Sequence, residues 1–305
     1  MATSSLSPLR YPGGKQILTR ILRHLIQLNN RSGGVYVEPY AGGAGAALAL
    51  LFGGYVNRII INDADPHIFA FWDAVLNRTS RLVQMVRDTP LTIEEWQRQR
   101  SVYYSPSRHS QLRLGFSCFY LNRCNRSGII ATGGVIGGLD QTGRWKQDAR
   151  FNREDLVQRI ERIAKYRDRI SISNHDAIDL LRQLSAEPSK TNRLFVYLDP
   201  PYYGKGSQLY LDYYSPEDHA ALAEFLRSCS SFKWLLSYDN AREIRKLYFD
   251  FRKVSFDLGY SASKRRVGSE VLIFNETLKF PSAWQRRIPQ KFISRADQSS
   301  VPMPT

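Results

Sequence analysis

The chain has 305 residues, enough for one large domain or two modest ones, each with its own core. Hydrophobic residues at 43% and charged residues at 23% exclude a disordered chain, and no uninterrupted apolar stretch approaches the roughly 20 residues of a membrane span, so no membrane partner is expected. Lys+Arg at 43 against Asp+Glu at 28 leaves a net charge of +15, which favours a polyanionic partner, nucleic acid first.

The residues Met1 to Pro8 carry no apolar core of the kind that directs export, and the expected location is the cytoplasm. From Lys15 to Leu28, apolar Ile17, Leu18, Ile21, Leu22, Leu25 and Ile26 recur at helical spacing. Val35-Tyr36-Val37-Glu38 reads as a short strand. A turn rich in glycine, Pro39 to Gly45, leads into a helix over Ala46 to Leu51, and Arg58 to Asp63 reads as a second strand ending in an acid. Strand, glycine turn, helix, strand and acid make a nucleotide-binding half of a doubly wound sheet. The turn lacks the Gly-Lys-Ser/Thr of a phosphate loop and the spacing of a dinucleotide fingerprint. The expected ligand is therefore a nucleoside whose tail is not a bound polyphosphate, with Asp63 placed to hold ribose hydroxyls. Capping of the helices that follow is the competing role for Glu38 and Asp63.

Pro66 to Leu121 is mainly helical in pattern, with clear periodicity over Ile68–Leu76, Leu82–Val86 and Gln111–Tyr120. Asn122 to Asn152 is rich in Gly, Arg and turn residues, and its Gly133-Gly134 and Gly137-Gly138 pairs are too close together for long regular elements. Between Arg98 and Arg169 fifteen cations face six acids, a balance that suits phosphate neutralisation. A helix over Arg153–Tyr166 and a strand over Arg169–Ser173 follow. Strands then recur at Leu194–Leu198, Trp234–Ser237, Phe251–Phe256 and Glu270–Phe274. The middle is thus read as an insertion, residues 66–150, between the parts of one catalytic domain, residues 8–65 and 151–280. The polar, proline-containing tail, residues 281–305, is expected to fray or lie on the surface. Cys118, Cys124 and Cys229 form neither a disulfide framework nor a zinc pattern, which fits a reducing compartment. His175 has no partner at metal-ligand spacing, and no metal is expected.

Directly after the apolar run Leu194–Leu198 stands Asp199-Pro200-Pro201-Tyr202. Asp-Pro and Pro-Pro pairs also mark ordinary turns, but open α/β sheets bind ligands outside the carboxyl ends of their strands, where this turn falls. A carboxylate and a neighbouring carbonyl there can each accept one N–H of an exocyclic amine on a flat heterocycle, while the tyrosine stacks on the ring.

Pro8-Leu9-Arg10-Tyr11-Pro12-Gly13-Gly14-Lys15, Glu38-Pro39-Tyr40 with its glycines, Asp63, Asn122-Arg123 followed by Gly128, and Asp199-Pro200-Pro201-Tyr202 occur in the order found in the Dam-type, D12-class DNA adenine methyltransferases, which the chain resembles over residues 8 to 280. The resemblance implies an α/β fold: a doubly wound S-adenosylmethionine-dependent methyltransferase sheet with an inserted, mainly helical DNA-recognition domain. It implies S-adenosylmethionine as methyl donor, no metal, and N6 of an adenine flipped out of double-stranded DNA as acceptor. By position, Asp199, Pro200, Pro201 and Tyr202 would be catalytic. Tyr11, Lys15, Glu38, Pro39, Tyr40, Gly42, Gly43, Gly45, Asp63 and Asp199 would line the cofactor. Asp176 would lie near the cofactor's adenine or would cap the helix Ala177–Leu184. Asn122, Arg123, Asn125, Arg126, Arg144 and Lys146 would meet DNA from the insertion, and Lys264-Arg265-Arg266 would clamp the backbone on the catalytic side. A monomer is expected, and a cognate restriction endonuclease is the partner that a modification enzyme implies.

Two departures matter. The glycine turn is one residue longer than the commoner aromatic-x-Gly-x-Gly form. Ile129-Ile130-Ala131-Thr132 stands where relatives that read GATC carry a guanine-reading arginine, which argues against GATC as the target. N4-cytosine methylation follows the same amine logic and is the nearest alternative. A protein-glutamine methyltransferase commonly has Asn at the acid position and needs no basic insertion. A non-catalytic DNA-binding protein with a decayed methyltransferase fold is the other alternative, and intact Asp199, Tyr202 and glycines speak against it.

Overall fold

Five apolar runs become parallel strands: β1 (Val35–Glu38), β2 (Arg58–Asn62), β3 (Ile170–Ser173), β4 (Leu194–Leu198) and β5 (Lys233–Asp239). A hairpin of β6 (Arg252–Tyr260) and β7 (Arg266–Phe274) completes the sheet, with β7 antiparallel to β5. In this computed structural model, which describes residues 6–10, 18–187, 191–203, 214–229, 231–260, 266–284 and 288, the strand order is β3-β2-β1-β4-β5-β7-β6. Every residue of β4 is buried between β1 and β5, and a central parallel strand covered on both faces has no reason to alternate polar residues. The hairpin strands run longer than their apolar patterning predicts, because antiparallel pairing satisfies their backbone from Arg252↔Phe274 through Tyr260↔Arg266 whatever the side chains are.

Alternation along the strands feeds two cores. Tyr36, Ile59, Ile61, Phe195, Tyr197 and Leu235 enter one, whereas Val37, Val196, Leu198, Trp234 and Leu236 enter the other. The second core is closed by α8 (Ala177–Ser185), α9 (Pro216–Ser228) and α10 (Arg242–Leu247), through Leu180, Leu181, Leu222, Leu226 and Ile244. The first is closed by α1 (Thr19–Leu28) and α2 (Gly45–Phe52), and it continues without a break into the helices that follow β2. The sheet is therefore doubly wound, as expected. Each fully buried Leu or Ile in these layers contributes about 1.5–3 kcal/mol relative to exposure.

The helices between β2 and β3 are α3 (Pro66–Asn77), α4 (Thr79–Asp88), α5 (Ile93–Tyr103), α6 (Gln111–Cys124) and α7 (Arg153–Ala164). Their starts are written locally: Asp65, Thr92, Ser110 and Asn152 each accept a backbone N–H of the first turn. α6 is buried from Leu114 to Cys124, and it crosses α3 so closely that a Cβ on Gly115 would lie 2.3 Å from the Ala70 carbonyl oxygen. Between α6 and α7 the chain makes single-turn helical segments at Arg126–Gly128 and Gln147–Arg150 and one isolated antiparallel bridge, Asn125 to Val135, in keeping with the glycine pairs. Among the described residues no helix is long and apolar enough to cross a membrane.

One side chain binds the carboxyl ends of three strands together. Asn62 is 1% exposed; its Nδ2 donates to the carbonyls of Pro39 (2.9 Å) and His175 (3.0 Å), and its Oδ1 accepts from Ser173 Oγ (2.8 Å) and the His175 N–H (2.9 Å). Truncation removes these bonds and leaves the buried Pro39 carbonyl without this donor, so Asn62→Ala should lower the unfolding free energy by about 1–3 kcal/mol, read as a shifted urea midpoint.

Candidate active site

The order of the sheet reverses between β1 and β4, and crevices at such switch points, outside the carboxyl ends of the strands, are where doubly wound sheets take ligands. Here Glu38 ends β1, Asp63 follows β2, Asp199 follows β4 and Asp239 ends β5. The turn Asp199–Tyr203 is held from β5 and from β7 beyond it. Ser237 Oγ donates to Asp199 Oδ1 at 2.8 Å and also meets the Tyr197 hydroxyl at 2.8 Å. The Tyr203 N–H donates to Asp239 Oδ1 at 3.2 Å, and the Tyr202 hydroxyl donates to Glu270 Oε1 at 2.7 Å. Pro200 and Pro201 have no N–H to satisfy and fix their own φ. Ser237 and Glu270, both buried, are not singled out by the sequence; the trace each leaves is a polar residue directly beside an apolar run of its strand.

Across the switch point, Glu38 is 5% exposed and accepts from the Tyr36 hydroxyl (2.9 Å) and the Ala47 N–H of α2 (3.1 Å). Burial pushes its carboxyl up to about 8, with the charge of nearby Asp199 adding to the rise and the two donors opposing it. The glycine turn is anchored on its outer side. The Gly42 N–H donates to Asp63 Oδ2 (2.8 Å), the Asp65 N–H to Asp63 Oδ1 (3.1 Å), and Trp72 Nε1 to the Gly42 carbonyl (2.9 Å). Gly42 and Ala44 take left-handed φ of 46° and 47°, the conformation that swings the turn into α2. A Cβ on Gly45 would meet nothing within 4 Å, so the start of α2 borders open space. The Tyr40 hydroxyl meets that of Tyr214 at 2.7 Å. Asp176 caps α8, its Oδ1 accepting from the N–H groups of Ile178 and Asp179, which is the second of the two roles expected for it. Tyr11, Lys15, Lys264 and Arg265 lie outside the described residues, and Arg266 opens β7 as backbone only.

The residues expected to meet DNA divide into two groups. Asn122, Arg123 and Asn125 are buried and bonded to the chain's own groups, not displayed on its surface. Asn122 is fully buried and exchanges hydrogen bonds with the backbone of Arg10 (2.7 Å each way) and with the Gly128 carbonyl (2.9 Å). Asn125 donates to the Ile129 and Ile130 carbonyls and accepts from Trp96 Nε1. Arg123 is 8% exposed, with its guanidinium on the carbonyls of Arg150 and Pro8, and burial pushes its pKa down to about 9. Composition registers such a cation but not the carbonyls that enclose it.

Arg126, Arg144 and Lys146 are exposed, and Lys146 Nζ donates to the Gln141 carbonyl. Arg126 and Arg144 line an open cavity of about 500 Å³ with Gly137, Gly138, Asp140 and Trp145. The Trp145 ring is 64% exposed beneath the Arg144 guanidinium, and Leu139 nearby is 62% exposed. Trp145 is not among the residues singled out from the sequence; a tryptophan within a glycine- and arginine-rich stretch is the signal that points to it.

The chain matches the D12 class N6 adenine-specific DNA methyltransferase family over residues 11–261. No curated protein matches it.

The electrostatics of Glu38 are testable without ligand. Its carboxyl titrates higher in the folded chain than its ordinary value of 4.5, so the stability it contributes is complete below pH 4.5 and is lost as pH rises through about 8. The unmodified protein should therefore lose urea midpoint between about pH 5 and pH 8, and Glu38→Gln should flatten that decline.

Proposed function

This chain belongs to the D12 class N6 adenine-specific DNA methyltransferase family, and from that membership we propose that it moves a methyl group from S-adenosylmethionine to N6 of an adenine turned out of double-stranded DNA. It is an enzyme of DNA adenine methylation; the donor, the flipped base and the residue roles are the proposal. The observation that carries it is Asp199, set at the carboxyl end of central strand β4 beside the switch point and pinned by Ser237. Family membership favours adenine over the cytosine alternative, which uses the same amine chemistry.

The residues on the β1 side suit this donor. Buried Glu38 matches a ligand's ammonium group, Gly45 leaves room at the start of α2, and Asp63, which anchors the glycine turn through the Gly42 N–H, is an acceptor at the end of β2 for ribose hydroxyls. Pro39, Tyr40, Gly42 and Gly43 complete this wall, with Tyr11, Lys15 and Asp176 proposed at its margins. When bound, S-adenosylmethionine supplies a methyl group activated by its sulfonium.

The chain's own work is alignment and charge. Asp199 accepts one N6–H and the Pro200 carbonyl the other, which draws the amine lone pair out of the ring plane. Tyr202 stacks on the base while Glu270 holds its hydroxyl. As N6 becomes positive, the Asp199 carboxylate stabilises it in a site from which most water is excluded. A base inside the duplex cannot reach a sheet-end crevice, hence the flip.

The insertion, residues 66–150, is assigned to DNA, with Arg126, Arg144 and Lys146 for phosphates and the exposed Trp145 ring for base contact. The basic run Lys264-Arg265-Arg266 is assigned to the backbone on the catalytic side.

Asp199→Ala should reduce methyl transfer by about 10³-fold or more while DNA affinity stays within about twofold. Asp199→Asn, which keeps an acceptor but loses the charge, should also be crippled; full activity of either variant in a methyl-transfer assay refutes the assignment. Arg126→Ala should weaken DNA binding and lower the slope of log affinity against log salt by about 1. An unchanged slope would remove Arg126 from the phosphate set.

A further inference from the structure

We infer that Tyr197 and Ser237 form a one-directional hydrogen-bond chain that sets the plane of the Asp199 carboxylate, which makes Ser237 a positioning residue of the methyl-transfer step. The inference rests on the reading of Asp199 as the amine acceptor.

Leu198 of β4 pairs in parallel register with Leu236 of β5, so Asp199 and Ser237 are the next residues along each chain. Tyr197 and Asp199 are two residues apart, and Tyr197 shares its core with Leu235, two residues before Ser237. Ser237 thus reaches from β5 to both groups at once, at 2.8 Å from Asp199 Oδ1 and 2.8 Å from the Tyr197 hydroxyl.

Chemistry supplies the direction. A carboxylate accepts only, and a serine hydroxyl has one hydrogen. That hydrogen is spent on Asp199, so Tyr197 must donate to Ser237. Both hydroxyls are out of water, with Tyr197 2% and Ser237 0% exposed, so no solvent molecule competes and the aligned dipoles reinforce one another.

The need for such a chain follows from the turn. Pro200 and Pro201 stiffen the backbone after Asp199, but an aspartate's terminal torsion is broad and roughly two-fold, so a stiff turn does not orient its oxygens. With Oδ1 held from the strand side, the carboxylate plane is set relative to any base brought to it. Alignment to within a fraction of an ångström is what methyl transfer to a poorly nucleophilic amine requires.

The test is a double-mutant cycle read by single-turnover methyl transfer at saturating DNA and S-adenosylmethionine, using the full chain. Ser237→Ala should slow the step about tenfold and Tyr197→Phe about threefold, with cofactor and DNA dissociation constants within about twofold of the unmodified protein. The double variant should be no slower than Ser237→Ala alone, because Tyr197 acts through Ser237. A full rate for Ser237→Ala, or a double variant slowed by the product of the two single effects, overturns the inference. Tyr197→Phe removes one oxygen and leaves the Ser237–Asp199 bond in place; if Ser237→Ala does not fold, an unchanged rate for Tyr197→Phe overturns it equally. An active Asp199→Ala would instead defeat the reading beneath it, whereas an inactive Asp199→Ala beside a fully active Ser237→Ala removes the role of Ser237 alone.

Discussion

The pocket is organised around a carboxyl group held out of water: Glu38 on β1 lies on the strand next to the one that leads into Asp199, and burial first, with the charge of Asp199 adding to it, pushes its titration up to about 8. Each of the two carboxyl groups has hydroxyl support from below, Tyr36 for Glu38 and Ser237 for Asp199. The start of α2 adds the Ala47 N–H to Glu38, and both of its donors oppose the rise of its carboxyl that burial causes. A carboxyl group whose burial disfavours its charged form is matched to a ligand that brings positive charge, as the sulfonium donor of the proposed methyl transfer does.

The rest of the sheet serves to keep that arrangement still. Asn62 binds the exits of β1, β2 and β3; Asp63 and Trp72 fasten the glycine turn; Asp239 and Glu270 hold the chain just after Asp199. The antiparallel hairpin therefore has a part in the site as well as in the sheet, because β7 carries the acceptor for Tyr202.

The helices after β2 are not a separate ball of residues. One apolar cluster runs from Tyr36 and Phe195 on the sheet through Phe71 and Phe119 to Ile160. Asn122, Arg123 and Asn125 tie these helices to the segment at residues 8–10, and Arg159 adds a bond to the Ser7 carbonyl. The polar residues that resemble a DNA surface in the sequence thus join these helices to the chain that leads toward Tyr11 and Lys15. Arg126, one residue beyond Asn125, is where the same stretch reaches solvent.

By itself the sequence determined the strand β4 to the residue, the glycine turn between β1 and α2, the basic and turn-rich middle, and the position of Asp199 after a central strand. These are local or periodic properties: uniform apolarity, turn chemistry and charge density are written in consecutive residues. Only the tertiary structure decided which polar groups face one another. Ser237 and Glu270 stand roughly 40 and 70 residues from the turn they hold, Asn122 stands 112 residues from the Arg10 backbone that it bonds, and Arg123 looks like a phosphate ligand until the carbonyls around it are known. Hydrogen bonds reach about 3 Å and depend on direction, so partners far apart in the chain leave no periodic trace in it.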